Sequence, residues 1–233
     1  AGSIRIDQGL FDIVVTTGTN QADAITHSGD TGGPSSTGAA DRHRIYLVAA
    51  AEGAANQMLL GGTIGFDDAA NASIENGVIY LSSGRTTPQI TDFTQVPGTP
   101  IPTGPGSGSI VLQSADIRSR MQGFATNAIS MTSGGLNPRQ IPNVNLYAGG
   151  AISLTGNGNI FVNNLGSNLG INVTTSAGNI TAAGTSLAGD TLNFNASGAI
   201  AFGNASASQT TLAAGTTITG GTVRSTRGNT SGD

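Results

Sequence analysis

The sequence predicts an all-β chain folded as a parallel β-solenoid with about 20 residues per coil and two loop excursions. Two interleaved motif series predict it. Gly158-Asn159-Ile160, Gly178-Asn179-Ile180 and Gly198-Ala199-Ile200 recur every 20 residues, and Thr216-Thr217-Ile218 closes that series two residues early. Ile152-Ser153-Leu154, Ile171-Asn172-Val173, Leu192-Asn193-Phe194 and Leu212-Ala213-Ala214 recur at spacings of 19, 21 and 20. Composition is the third sign. The 233 residues include 36 Gly but only 9 % charged and 4 % aromatic side chains, which suits a thin interior better than a thick globular core.

Each motif alternates apolar, polar, apolar, the pattern of a strand with one buried face. The stack therefore predicts one inward column of Ile152, Ile171, Leu192 and Leu212, and a second of Ile160, Ile180, Ile200 and Ile218. Ser153, Asn172, Asn193 and Ala213 would point outward beside the first column, and Phe161, Thr181, Ala201 and Thr219 beside the second. Gly, Asn and Ser at the turns tolerate left-handed backbone at least cost.

From the amino terminus, Ile4 to Ile6 and Phe11 to Val15 suit opening strands, and 16–41 is a Gly, Ser, Thr and Asp excursion. Strands follow at Ile45 to Ala51, at Met58 to Phe66 with a turn at Gly61-Gly62, and at Val78 to Leu81. The second excursion, 85–108, holds Pro88, Pro97, Pro100, Pro102 and Pro105, which exclude a central strand. Further strands are expected at Ile110 to Leu112, Ile129 to Met131 and Val144 to Tyr147. The whole of 1–233 is one solenoid segment, irregular over 1–150 and regular over 151–225. No capped stretch of helical period occurs.

Charge and cysteine narrow the function. Net charge is −4, and all nine basic residues are Arg, so a nucleic-acid role has no electrostatic footprint. Cysteine is absent, which excludes disulfides and thiolate metal sites and suits exported bacterial chains. No apolar run is long enough for a membrane span. The chain opens Ala1-Gly2 with no visible signal peptide, as expected of an internal or processed piece of something longer.

The segment Arg44 to Gly84 reads RIYLVAAAEGAANQMLLGGTIGFDDAANASIENGVIYLSSG. It resembles the large filamentous-haemagglutinin-like exoproteins of Gram-negative bacteria, notably alphaproteobacteria. The resemblance covers these 40 or so residues well and the later repeats generically. It implies a right-handed parallel β-helix, export through an outer-membrane partner by two-partner secretion, and adhesion at the cell surface to a receptor or matrix. The amino-terminal secretion domain of that family is not recognisable, which places this piece downstream of it.

Candidate chemical sites are sparse. Gly29-Asp30-Thr31-Gly32-Gly33-Pro34 looks like the nucleophile motif of trypsin-like proteases with Thr for Ser, but neither His27 nor His43 is a positioned base for it. Gly61 to Asp67 approaches a calcium-binding nonapeptide with its third Gly one place late, so Asp67 and Asp68 are weak calcium candidates, and no other cofactor is expected. Asp116, Arg118 and Arg120 are candidates for a charged patch but suit a solvated edge better, and Asp190 is the one carboxylate between Gln140 and Val223. Asn71, Asn172, Asn179, Asn195, Asn204 and Asn229 match a glycosylation pattern but suit turns and ladders better. The expectation is a non-enzymatic structural or adhesive segment, either self-associating or continuing into further coils. The rivals are a β-helix polysaccharide lyase or hydrolase, and a flat face binding a repeating lattice.

Overall fold

A computed structural model describes residues 13–17, 25–27, 44–49, 57–64, 78–83, 108–117, 120–136 and 144–225. Every regular element among them is a strand. In chain order these are β1 (Ile13–Thr17), β2 (Ile25–His27), β3 (Arg44–Ala49), β4 (Gln57–Ile64), β5 (Val78–Ser83), β6 (Ser109–Ile117), β7 (Arg120–Ala125), β8 (Ile129–Leu136) and β9 (Val144–Ala148). The regular half continues with β10 (Ile152–Val162), β11 (Asn164–Ser167), β12 (Ile171–Thr175), β13 (Ile180–Ala188), β14 (Thr191–Ala196), β15 (Ile200–Ala207), β16 (Gln209–Ala214), β17 (Ile218–Gly220) and β18 (Val223–Ser225).

Among the described residues all pairing is parallel and runs between coils, which makes a β-solenoid with three ladders. The first ladder joins eight strands: β2, β4, β6, β8, β10, β12, β14 and β16. The second joins the far ends of β4, β6, β8 and β10 to the near ends of β13 and β15, and then to β17. The third runs β1, β3, β5, β7, β9, β11, the far ends of β13 and β15, and β18. Five consecutive turns, through Ile110, Ile129, Ile152, Ile171, Leu192 and Thr210, have 19, 23, 19, 21 and 18 residues. The column thus reaches back to Ile110, through a turn of 23 residues whose strands pair with register shifts.

The interior is apolar because alternate strand residues turn inward and the coils on either side cover them. Ile152, Ile171 and Leu192 form one buried column, extended toward the amino terminus by Ile110 and Ile129. Ile160, Ile180 and Ile200 form a second buried column. Volumes trade between ladders. In the third ladder the inward residue shrinks from Leu146 and Leu165 to Ser186 and Ala205. In the coil where Ala205 stands, Val173 has given way to Phe194 in the first ladder and Ala182 to Phe202 in the second. Close packing requires such compensation in a core one side chain deep.

Four expectations are corrected. Leu212 does not follow Leu192: Thr210 does, and Leu212 lies beside Phe194. The last coil is two residues shorter there, so counting by look-alike motifs overshoots by two while keeping the inward parity. Ala213 accordingly sits beside Asn195, not Asn193. Ile218 does occupy its column, but it is 46 % exposed, since it belongs to the last described coil. The excursion 16–41 is not wholly outside the stack: Thr16 and Thr17 complete β1, and Ile25–His27 pairs with Met58–Leu60, because even three alternating residues can join a ladder already formed. Gly61-Gly62 is a register shift within one continuous strand, not a turn, where β4 bends from the first ladder to the second. Of the excursion 85–108, only Gly108 falls within the described residues.

Corners are held by glycine and asparagine. A Cβ on Gly178 would lie 2.5 Å from the Gly158 carbonyl carbon, so successive corners stack closer than any side chain allows. The Asn159 side-chain oxygen accepts the Asn179 N–H at 2.9 Å, and the Asn179 oxygen accepts the Ala199 N–H at 2.7 Å. Each Asn thereby satisfies a backbone donor of the next coil where the ladder is interrupted.

Two mutational outcomes follow. Ile180→Asp should cost at least about 3 kcal/mol by burying an unpaired carboxylate, whereas Asn179→Asp keeps its acceptor and should cost under about 1 kcal/mol, as measured by denaturant unfolding. Gly178→Ala should lower the unfolding free energy by about 1–3 kcal/mol through overpacking, whereas Gly158→Ala, whose Cβ would meet nothing within 4 Å, should be neutral or slightly stabilising.

Candidate functional site

The charged residues singled out in the sequence do not converge on one site among the described residues. Asp116 lies in β6 beside Thr63 and Gly135 on the second ladder, while Arg120 opens β7 opposite Val78 on the third. His27 lies in β2 opposite Leu60. Asp190 is exposed at the corner that precedes β14. Asp67, Asp68, Arg118, His43 and the Gly29 to Pro34 motif lie outside the described residues. Among the described residues no group of three or more His, Cys, Asp or Glu stands together.

What the coils build instead is three outward faces of different chemistry. On the first ladder, outward residues fall into two files. One runs Ser130, Ser153, Asn172, Asn193 and Thr211; the other runs Thr132, Thr155, Thr174, Asn195 and Ala213. Each is exposed or half-exposed, and none is charged. The strands place these side chains about 4.8 Å apart between rungs and about 6.6 Å apart along each strand. Among the described residues, none of the nine hydroxyl and amide side chains has a hydrogen-bond partner.

That freedom contrasts with the other asparagines. Asn145 accepts the Asn164 N–H at 3.1 Å and the Asn164 side-chain N–H at 2.9 Å. Asn164 in turn accepts the Thr185 N–H at 2.9 Å, and Asn204 accepts the Thr222 N–H at 3.4 Å. The asparagines at corners and strand entries are consumed in joining coils. Those in mid-strand on the first ladder are not.

The second ladder's outward file, Phe161, Thr181, Ala201 and Thr219, is mixed in size and chemistry. The third ladder is unusual. In β9 all five residues are buried, so its outward-parity positions Asn145 and Tyr147 are covered as fully as Val144 and Leu146. Phe124 and Tyr147 stand side by side in one file and pack as a pair apart from the main core. Nothing in the period-2 pattern signals that covering. The one visible sign was the presence of large aromatics at positions where the first ladder carries Ser, Thr and Asn.

No known protein family, no curated protein and no solved structure matches this chain. The reading therefore rests on the faces themselves.

Burial pushes the Tyr147 phenol up to about 12 from its ordinary value of 10. The charged phenolate is disfavoured in the folded state, so the fold is fully stabilised below pH about 10 and loses that contribution as pH rises toward about 12. Alkaline titration followed by tyrosinate absorbance should show one late phenol whose ionisation coincides with loss of strand circular dichroism. Tyr147→Phe should delete that late step; a late step retained in the variant would assign it to another tyrosine.

Proposed function

We propose that this chain is a non-enzymatic structural and adhesive segment of a secreted bacterial surface β-solenoid, of the filamentous-haemagglutinin-like kind. The observation that carries the reading is how the residues are spent. Inward side chains and corner amides hold coil to coil, while the outward side chains of the first ladder, uncharged and unpartnered among the described residues, form a long surface available to other molecules. A rod of this kind works by presenting area at a distance, and length comes from adding coils. The likeness of Arg44 to Gly84 to such exoproteins, together with the absence of cysteine, supports export by two-partner secretion through an outer-membrane partner and a place at the cell surface.

Self-association or continuation into further coils belongs to the same proposal, since the coils of a solenoid depend on neighbours for both pairing and burial, as Ile171 and Val173 do on the coils either side of them.

Purified chain should bind host cells or matrix and compete with bacterial adherence, and it should leave bacterial and plant polysaccharides uncleaved. Adding flanking coils should raise the unfolding midpoint, or light scattering should show self-association. Polysaccharide cleavage abolished by Asp67→Ala or Asp116→Ala would replace this reading with that of a β-helix lyase or hydrolase. A chain that neither adheres nor competes would remove the adhesive half.

A further inference from the structure

We propose that the outward face of the first ladder is a binding surface for an extended, uncharged polysaccharide, contacted along the rod by Ser130, Ser153, Asn172, Asn193, Thr155 and Asn195. The inference rests on the adhesive reading and names its ligand class.

The first argument is charge. No residue in either file is charged, so the face has no attraction for nucleic acid, acidic glycans or phospholipid headgroups. A neutral ligand can be desolvated against it without stripping water from an ion. Charge complementarity here means neutral against neutral.

The second argument is hydrogen-bonding capacity. Hydroxyls donate and accept, and an Asn amide offers two donors and an acceptor. Sugar hydroxyls do both as well, so the two arrays can pair in either chain direction. The side chains concerned have no partner among the described residues, while Asn145, Asn159, Asn164, Asn179 and Asn204 are all engaged by the next coil. The same residue type is thus used for structure at the corners and left free on one face.

The third argument is order. Outward groups recur at about 4.8 Å by about 6.6 Å on a face whose backbone is held by parallel pairing on both sides. Corner glycines keep the coils in vertical register, since a side chain at Gly178 would force them apart. Thr132, Thr155 and Thr174 are β-branched and stiff about their first torsion. Little freedom is lost on binding, and many weak contacts act together along an extended ligand. No aromatic residue lies in either file, so stacking on sugar rings is replaced by a hydrogen-bonded array suited to a straight ribbon and not to a single sugar.

The test uses the whole 233-residue chain and measures its depletion from solution by microcrystalline cellulose and by chitin powder. Alginate beads serve as the anionic control and an ice-growth assay as the second lattice. Retention on at least one neutral powder, insensitive to salt and absent on alginate, is expected. Asn172→Ala, Asn193→Ala and Asn195→Ala combined should weaken retention on the order of tenfold or more. Thr181→Ala with Thr219→Ala, on the second ladder's outward file, should leave it unchanged. Circular dichroism melting shows that each variant keeps its fold, and the single Asn195→Ala at an exposed position substitutes if the triple variant does not. No retention on either powder, equal loss from both faces, salt-sensitive retention on alginate, or ice shaping without glycan binding would each overturn the proposal. So would self-association that the triple variant abolishes, since the face would then join copies of this chain. Cell adherence that survives in the triple variant without powder retention sinks this inference alone, whereas a chain that adheres to nothing sinks the adhesive reading beneath it.

Discussion

No coil of this chain can satisfy itself. A strand such as Ile171–Thr175 has no hydrogen-bond partner within its own turn; its donors and acceptors go to Ile152–Gly156 on one side and Leu192–Ala196 on the other. The same neighbours cover Ile171 and Val173. Backbone pairing and apolar burial are therefore one requirement, met only by stacking. The remaining features serve that stack. Glycines at the corners let the chain approach the coil below, and asparagines close the donors left open where a ladder breaks. Phenylalanines appear in two ladders at the level where the third has only alanine.

The stack also explains why chemistry must lie outside. An interior one side chain deep has no room for a buried pocket of converging polar groups, because every inward position is needed for contact between coils. Function is left to the outward parity, and the three ladders treat it differently. The first is open and uncharged, polar between Val111 at one end and Ala213 at the other, the second mixed, and the third covered around Phe124 and Tyr147. A solenoid can differentiate its faces in this way without altering its core, since alternate residues of one strand answer to separate demands.

Much of this was legible in the sequence. The recurrence of Gly-Asn-Ile and Ile-x-Leu motifs announces the solenoid and places Ile152, Ile171 and Leu192 in one column and Ile160, Ile180 and Ile200 in another. The period works because inward residues of successive coils face the same environment. It failed where that environment changes. Leu212 was aligned by appearance, but a shorter coil put Thr210 in its place. The third ladder was not announced at all. Its inward residues pass from leucine to serine to alanine, with phenylalanine filling space from the other ladders at the alanine, so no single residue type repeats. Strand β7 escaped notice for a related reason: Gly123 stands inward where Leu81 and Leu146 flank it, and a Cβ there would lie 2.8 Å from the Leu146 side chain.

By itself, then, the sequence determined the all-β solenoid, its repeat of about 20 residues, one inward column in each of two ladders and the scarcity of charge. These depend on period and composition, which are properties of the chain read in one dimension. The tertiary structure alone decided the register of the last coil, the existence of the third ladder, the covering of Tyr147 and which asparagines are engaged by the next coil, whereas the outward alignment of Ser153, Asn172 and Asn193 was already in the repeat. Each of those depends on which residues of different coils become neighbours. That is settled by the length of every corner and the volume left by every other side chain, and neither is written at any single position.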